Sequence, residues 1–380
     1  MSLLLGAVLL GSWVYCVLTI VAARKFLSVR PLSLSASPDP ASILKPLAGL
    51  DEGLEENLRS FFTQDYPLFE ILFAVRHESD PAVAVVRKLQ AEYPRVTSRL
   101  LLAGEPPYPN AKVWSLDHML RAASHDLLVM SDSDMRVDSQ MLRVTAAEFQ
   151  NPKLGVATCP YRAIAGESLW SRLEAVGMNT EFFGGVLVAR MLDGMKFAVG
   201  PTIVARRKCL ESIGGFKRLN EYLAEDFVMG KFASDAGWNV ILSSYVVEHR
   251  IGSGSFAKNA AHRVRWARST RRSRPAGYIG QVFTNPLPIA LLLVAVNPLL
   301  WPALGATVLL RAAAAYVVAS QVLRTSVGWM ALPFQDVLSF FFWIAGFFGN
   351  TIEWRGRRYR LHPDGRFTLI ESRGYSGRSA

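Results

Sequence analysis

The sequence contains few cysteines. It has three, Cys16, Cys159 and Cys209, and they are widely spaced. This number and spacing exclude a disulfide framework and give no metal-ligand pattern. A reducing compartment therefore suits the protein best, and we expect each cysteine to be a small buried hydrophobic residue.

Charged residues are missing from two long stretches. Residues 2–22 and 275–310 contain no Asp, Glu, Lys or Arg. About 20 apolar residues span a bilayer as a helix, so both stretches predict transmembrane helices. Further apolar stretches lie between Arg311 and Arg324 and over residues 335–352. Two or three C-terminal crossings are therefore predicted.

Basic residues are absent before the first apolar stretch, where a secretory signal would carry them. Arg24, Lys25 and Arg30 follow the stretch instead. The positive-inside rule therefore predicts a cytosolic domain after it, with residues 1–24 as an uncleaved anchor. The basic tail, residues 353–380, favours a cytosolic end and an even number of C-terminal crossings.

Acidic residues are outnumbered by basic ones, which gives a formal net charge of +11, and 51% of the residues are hydrophobic. Phosphates and anionic lipid headgroups suit such a chain as partners. Nucleic acid is disfavoured because the basic residues cluster beside apolar runs and no nucleic-acid-binding motif is present. His118, His125 and His249 show no metal spacing and are expected to be structural.

Between its apolar ends, the chain alternates short apolar segments with segments of helical spacing. Strands are predicted over residues 41–47, 69–75, 96–102, 127–130, 155–160, 197–204 and 240–245. Helices are predicted over residues 54–62, 81–93, 116–123 and 140–149. This alternation predicts an α/β fold with a parallel sheet built from βαβ units. In such sheets, ligands bind at the carboxyl ends of the strands.

The predicted strand over 127–130 leads directly into Asp132-Ser133-Asp134. Two carboxylates at that end can hold Mg²⁺ or Mn²⁺, which prefer oxygen ligands and share their shell with substrate phosphates. In isolation the pair is more typical of a turn. The metal interpretation therefore depends on the rest of the chain.

Polar motifs occupy comparable positions elsewhere. Asp80 follows the predicted strand over 69–75, and Glu225-Asp226 begins a predicted helix. Each motif has a structural alternative. Asp80 can cap a helix that begins at Pro81, and the acidic pair can supply favourable charge at a helix N-terminus.

Taken in order, these motifs resemble the family-2 glycosyltransferases, and more closely the ceramide glucosyltransferases and the bacterial hopanoid-associated glycosyltransferases. The closer likeness rests on Lys45-Pro46-Leu47-x-Gly49-x-Asp51, Gln64-Asp65-Tyr66-Pro67, Asp80-Pro81-Ala82, Asp132-Ser133, Tyr222-Leu223-Ala224-Glu225-Asp226, Gly237-Trp238 and Arg265-Trp266. It covers residues 43–270. The resemblance implies a GT-A-type nucleotide-sugar-binding domain with N- and C-terminal transmembrane helices. The division expected is a 1–24 anchor, a 41–274 cytosolic catalytic domain, a 275–352 membrane region and a 353–380 basic cytosolic tail.

The resemblance also implies a donor site. Asp80 would accept a hydrogen bond from the uracil of a UDP-sugar, while Asp132 and Asp134 would hold a Mg²⁺ or Mn²⁺ ion that neutralises the diphosphate. Lys112 lies in a loop that approaches the nucleotide in the family, although a solvated loop lysine is equally consistent with its position. The remaining residues implied for nucleotide-sugar binding are Lys45, Pro46, Arg265 and Trp266.

Asp226 is the general base that the resemblance implies. A carboxylate can take the proton of the acceptor hydroxyl as it attacks the anomeric carbon, and direct displacement inverts that centre. Glu225, His262 and Trp266 are expected on the acceptor side. His262 departs from the Gln or Arg of the family, which puts its contribution in doubt, although a protonated imidazole can still donate a hydrogen bond.

The resemblance therefore implies an inverting enzyme that moves one sugar from UDP-N-acetylglucosamine or UDP-glucose to a membrane lipid. Residues 265–270 look like the bacterial members, which favours a hopanoid polyol such as bacteriohopanetetrol in a bacterial inner membrane, with several membrane crossings. Ceramide is the alternative acceptor. A processive polysaccharide synthase would need more membrane helices, and the intact carboxylate set argues against a non-catalytic scaffold.

Overall fold

The computed structural model describes residues 1–29, 32–35, 38–354 and 357–371. Arg30, which supports the predicted orientation, lies outside the described residues, as does the end of the predicted tail, residues 372–380.

The strands and helices follow the alternation that the sequence predicts. The strands are β1 (Ala41–Pro46), β2 (Phe69–Val75), β3 (Thr97–Leu102), β4 (Leu127–Ser131), β5 (Met135–Arg136), β6 (Leu154–Thr158), β7 (Tyr161–Ile164), β8 (Thr202–Arg206), β9 (Asn239–Leu242), β10 (Val247–Arg250), β11 (Thr351–Trp354), β12 (Arg357–Leu361) and β13 (Phe367–Glu371). The helices are α1 (Ser2–Leu27), α2 (Leu54–Phe62), α3 (Ala82–Glu92), α4 (Ala111–Ala122), α5 (Met141–Glu148), α6 (Leu169–Gly177), α7 (Phe183–Asp193), α8 (Arg207–Ser212), α9 (Glu225–Asp235), α10 (Phe256–Ser273), α11 (Pro275–Gly280), α12 (Pro286–Val296), α13 (Trp301–Tyr316) and α14 (Leu332–Gly346). Two π-helical segments, Met178–Phe182 and Val317–Val322, adjoin α6, α7 and α13.

A seven-stranded sheet in the order β3-β2-β1-β4-β8-β6-β9 forms the centre of the α/β domain. Neighbouring strands of this sheet are parallel, except that β8 runs antiparallel to both β4 and β6. The amino end of β8 therefore lies beside the carboxyl end of β4. There, the amide of Asp132 donates to the carbonyl of Pro201 over 2.9 Å. This mixed sheet confirms the predicted GT-A-type α/β fold.

The central strands are buried on both faces, which is why they are almost continuously apolar. Successive side chains of a strand point to opposite faces. Ile43 packs with Phe61 of α2 in one core, and the next residue, Leu44, packs with Met119 of α4 in the other. The helices on both faces thus fix the carboxyl ends of β1 and β4 at one edge.

A second sheet, in the order β5-β10-β7, lies beyond that edge. β10 is antiparallel to β5 and parallel to β7. The pairing places His249 beside Met135, directly after the Asp132–Asp134 segment. The sequence pattern predicts none of these short strands, because each depends on partners distant in the chain.

Among the described residues, two helical stretches are long and apolar enough to cross a membrane, Ser2–Leu27 and Pro298–Val322. A third candidate is the pair Pro275–Phe283 and Pro286–Val296, which bends by 52° and is either a broken span or a re-entrant loop. The helix Leu332–Gly346 is shorter. Length and composition therefore allow one or two C-terminal crossings here, and the number remains a prediction.

A buried ion pair joins the apolar helices. Arg311 of α13 makes two hydrogen bonds of 2.8 Å to the carboxylate of Asp336 in α14, and it also donates to Thr180 over 3.0 Å. Such bidentate pairs are strong and geometrically specific. The sequence suggests Arg311 as the edge of an apolar stretch, whereas the structure places its side chain inside the helix assembly.

The chain described after α14 forms a third sheet, in the order β11-β12-β13. Tyr359, Leu361 and Phe367 are buried between it and the α/β domain. The composition of residues 353–380 predicts a basic tail and not this sheet.

Candidate active site

A pocket opens at the carboxyl ends of β1 and β4, between the amino ends of α4 and α9. Its lining includes Pro46, Lys112, Asp132, Glu225 and Asp226. The fold therefore brings together residues that the sequence analysis assigns to the donor, to the metal and to catalysis.

Lys112 connects two of the acidic residues. Its ammonium lies 2.7 Å from Asp132 Oδ1 and 3.0 Å from Glu225 Oε1. Burial would lower the pKa of Lys112, but the charges of Asp132 and Glu225 outweigh burial and hold the pKa above its ordinary value. Lys112 is therefore a permanent positive charge between the end of β4 and the start of α9.

Asn110 fixes the position of Lys112. It caps α4, accepting a hydrogen bond from the amide of Val113 over 3.1 Å. Its amide group donates to the carbonyl of Tyr222 over 2.9 Å and approaches Glu225 at 3.4 Å. One capping residue thus ties the start of α4 to the segment before α9.

Asp226 lies in the first turn of α9 and faces the pocket. Burial raises its pKa to about 6, and the charge of Glu225 adds to this shift. A Cβ at position 200 would lie 2.9 Å from Asp226 Oδ2, so Gly200 permits the close approach of the backbone. The raised pKa makes Asp226 a stronger base than an exposed aspartate.

Asp132 and Asp134 contact different partners. Asp132 pairs with Lys112, and burial raises its pKa above the ordinary value despite that partner. Asp134 lies 3.1 Å from His249 Nε2. Burial alone would raise the pKa of Asp134, but the charge of His249 and its hydrogen bond outweigh burial and lower it.

The donor set fits a divalent cation in its chemistry. Asp134 Oδ1 and His249 Nδ1 are buried without a hydrogen-bond partner, and Mg²⁺ is usually held by one or two carboxylates together with substrate phosphates. In the described part of the chain, however, no three His, Cys, Asp or Glu side chains are grouped closely enough to hold a metal by themselves. His249, expected to be structural, contacts Asp134, one of the two predicted metal ligands.

Lys45 lies beneath the pocket, with 0% of its side chain exposed. Its ammonium contacts Ser131 Oγ and the carbonyl of Asp132 and lies 3.9 Å from the centre of the Phe61 ring. Burial lowers its pKa to about 7, although the nearby aspartates oppose this. In this arrangement Lys45 supports the Asp132 segment, and its proposed contact with the nucleotide-sugar remains a prediction.

Asp80 caps the start of α3, which is the structural role that the sequence allows for it. Its carboxylate accepts hydrogen bonds from the amide of Ala82 over 2.9 Å and from the amide of Gly49 over 3.1 Å. It thus joins the start of α3 to the loop after β1, and its predicted uracil contact remains open.

Three predicted site residues, His262, Arg265 and Trp266, lie on α10, to one side of the pocket. His262 Nδ1 is 2.9 Å from Glu174 Oε1, and its ring lies 4.4 Å from that of Trp266. The guanidinium of Arg265 lies 5.8 Å from the centre of the Trp354 ring in β11. None of these three is among the described residues that line the pocket. Their predicted contacts with the diphosphate and the acceptor remain predictions.

The C-terminal sheet contacts the segment that leads into α9. The amide of Phe367 donates to the carbonyl of Glu221 over 2.9 Å, and Tyr222 pairs with Arg366. Leu223 packs against the core of the sheet. The sequence does carry a signal for this sheet, because Pro363-Asp364-Gly365 is typical of a turn between two alternating segments.

Replacing Phe367 with Ala should loosen the segment 221–226. Truncating a fully buried Phe costs about 3–5 kcal/mol in a core, so amide hydrogen exchange in this segment should accelerate about tenfold or more. The control is Leu369→Ala in the same strand, where 44% of the side chain is exposed. Equal exchange in both variants would show that the sheet does not hold the segment.

Comparison with known proteins gives consistent likenesses. The model of glycosyl transferase family 21 matches residues 4–367. Ceramide glucosyltransferase 1 of Caenorhabditis elegans is 31% identical over 226 residues, which are 58% of this chain and 48% of that protein. The ceramide glucosyltransferase of Komagataella phaffii is 35% identical over 123 residues, which are 31% of this chain and 24% of that protein. The chain thus spans about half the length of the first relative and less of the second.

Among solved structures, a mannosyltransferase from Pyrobaculum calidifontis in complex with GDP-Man and Mn²⁺ aligns with a TM-score of 0.54. The alignment covers 91% of this chain and 96% of that chain at 18% identity. At this identity the likeness concerns the fold, and it agrees with the mixed sheet described above.

Proposed function

The chain belongs to glycosyl transferase family 21, and we propose that it transfers one sugar from a UDP-sugar to a hydroxyl group of a membrane lipid, with inversion of the anomeric carbon. The pocket carries this proposal. Its lining supports the proposal, because Asp226, whose pKa is raised and which is the proposed base, lies there together with Lys112 and Asp132. The candidate membrane helices of the same chain would bring a lipid acceptor to this domain.

In this proposal Asp226 accepts the proton of the lipid hydroxyl while the hydroxyl oxygen attacks the anomeric carbon. The bond from that carbon to the diphosphate breaks, and its electron pair leaves with the UDP. One base and one displacement invert the centre. Glu225 contributes by raising the pKa of its neighbour, and the positive charge of Lys112 would balance the charge that develops on the leaving group.

Asp132 and Asp134 would hold a Mg²⁺ or Mn²⁺ ion. When bound, such an ion neutralises the diphosphate and makes it a better leaving group. The unpartnered Asp134 Oδ1 supports this assignment, as does the complex of a mannosyltransferase of similar fold with GDP-Man and Mn²⁺. Asp80, in the loop between β2 and α3, and Lys45, at the end of β1, complete the proposed donor site.

The acceptor has two candidates. The resemblance of residues 265–270 to bacterial members supports a hopanoid polyol, and the names of the curated relatives favour ceramide. The proposed donor is UDP-N-acetylglucosamine or, as those names suggest, UDP-glucose. We place residues 41–274 on the cytosolic side of a bacterial inner membrane, because Arg24 and Lys25 follow the first candidate span.

Acceptor profiling tests this function. Purified protein in nanodiscs would receive UDP-glucose or UDP-N-acetylglucosamine together with ceramide, diacylglycerol or bacteriohopanetetrol, and mass spectrometry would identify the lipid products. A single sugar on a lipid is expected. A lengthening glycan would indicate a processive synthase. If no UDP were released and no product formed with any lipid, a non-catalytic scaffold would be favoured.

The proposed base makes the reaction dependent on pH. Asp226 accepts a proton only as a carboxylate, so kcat should be constant at neutral pH and fall about tenfold per unit of pH below about 6. Asp226→Asn should lower kcat by about 10²–10⁴-fold and leave UDP-sugar binding nearly unchanged. Turnover of this variant close to that of the wild type would remove Asp226 as the base.

The proposed metal site predicts a binding defect. Titration calorimetry with UDP-sugar, with and without Mn²⁺, should show a metal-dependent gain in affinity that Asp134→Ala reduces by at least about tenfold. Asp126→Ala is the control, because Asp126 is exposed just before β4. An unchanged metal titration in the Asp134 variant would exclude it as a ligand.

A further inference from the structure

A polar cluster lies where the α/β domain meets the apolar helices, and the proposed mechanism does not use it. The break cluster, as we call it, consists of Tyr15, Glu181, Thr284 and Asn285. Glu181 Oε1 accepts hydrogen bonds from Thr284 Oγ1 over 3.2 Å and from Asn285 Nδ2 over 3.0 Å. Thr284 and Asn285 are the residues at which the bent helix pair is interrupted.

Two buried polar atoms of the cluster have no hydrogen-bond partner. Asn285 is 1% exposed, and its Oδ1 is unpartnered, as is the hydroxyl of Tyr15. That hydroxyl would lie 3.5 Å from a Cβ on Gly185, which is one helical turn beyond Glu181. Native proteins rarely bury polar atoms without a partner, so such atoms require an explanation.

A structural role explains only part of the cluster. Glu181 satisfies polar groups at the interruption of the helix pair, as expected where a helix breaks among apolar neighbours. That role accounts for Asn285 Nδ2 and Thr284 Oγ1. It does not explain why Asn285 Oδ1 and the Tyr15 hydroxyl are buried without a hydrogen-bond partner.

Aromatic residues connect the break cluster with the predicted metal ligands. Phe182 follows Glu181, and its ring centre lies 6.2 Å from that of Trp266 and 5.8 Å from that of Tyr161. The ring of Tyr161 is 5.6 Å from that of His249, the partner of Asp134. Phe182 is 37% exposed, whereas Tyr161 and His249 are buried, so the Phe182 end of this row is the accessible one.

We propose that the break cluster binds the polar headgroup of the lipid acceptor, an inference that rests on the proposed glycosyl transfer. Asn285 Oδ1 and the Glu181 carboxylate accept hydrogen bonds, and the Tyr15 hydroxyl both donates and accepts. The ligand therefore carries N–H or O–H donors beside the hydroxyl that receives the sugar. Ceramide and a hopanoid polyol share this chemistry, whereas diacylglycerol has no donor other than its reacting hydroxyl.

The test uses two conservative variants, Tyr15→Phe and Glu181→Gln, in phosphatidylcholine nanodiscs with saturating UDP-sugar. We expect the wild type to prefer ceramide or bacteriohopanetetrol over diacylglycerol. Each variant should raise the KM for the preferred lipid by roughly tenfold, as expected for one hydrogen bond lost. The KM for diacylglycerol, the KM for UDP-sugar and the pH profile should remain as in the wild type.

The matched control is Thr307→Val, which removes the 2.9 Å hydrogen bond from Trp13 of the same helix α1. It should leave lipid selectivity unchanged. Unchanged selectivity in both cluster variants would overturn the proposal, as would an equal loss with all lipids accompanied by a lower Tm. The two proposals fail with different results. If the proposed transfer to a lipid is wrong, the wild type itself forms no glycosylated lipid. If only the headgroup site is wrong, the wild type is active and the variants keep its lipid selectivity.

Discussion

The ammonium of Lys112, held between Asp132 and Glu225, is the contact on which the geometry of the pocket depends. The two carboxylates belong to elements far apart in the chain, the end of β4 and the start of α9, and a single positive charge joins them. Without it, several acidic groups would face one another, since Asp134 and Asp226 also lie close by.

The residues around the Lys112 contact are brought together by pairing between segments that are distant in the chain. The antiparallel strand β8 places Pro201 against Asp132 and Gly200 against Asp226. Asn110 and the C-terminal sheet hold the segment before α9 from two sides. Asp226, the proposed general base, is thus positioned by the C-terminal sheet as well as by the α/β domain. A segment with the composition of a basic tail therefore helps to hold the candidate site in place.

The sequence predicts those parts of the site that depend on local pattern. The buried strands that precede Asp80 and Asp132 are visible as apolar runs followed by acidic residues, and the helix that begins at Glu225 starts with an acidic pair. What it does not predict depends on pairing between distant segments. Neither the direction of β8 nor the pairing of β10 that brings His249 to Asp134 can be inferred from periodicity. The buried position of Arg311 cannot be inferred from the sequence either, because its partner Asp336 lies on another helix.

The contacts around the π-helical segment Met178–Phe182 link the catalytic domain to the apolar helices. Thr180 accepts a hydrogen bond from Arg311, which α14 fixes through Asp336, and Glu181 contacts the interrupted helix pair. Phe182 then contacts the aromatic residues Trp266 and Tyr161. Three successive residues therefore face three different parts of the molecule, in a π-helical segment of the kind that is common at functional sites. In the proposed function a water-soluble donor meets a lipid, and such a fixed connection would hold the reacting atoms at a constant distance from the membrane surface.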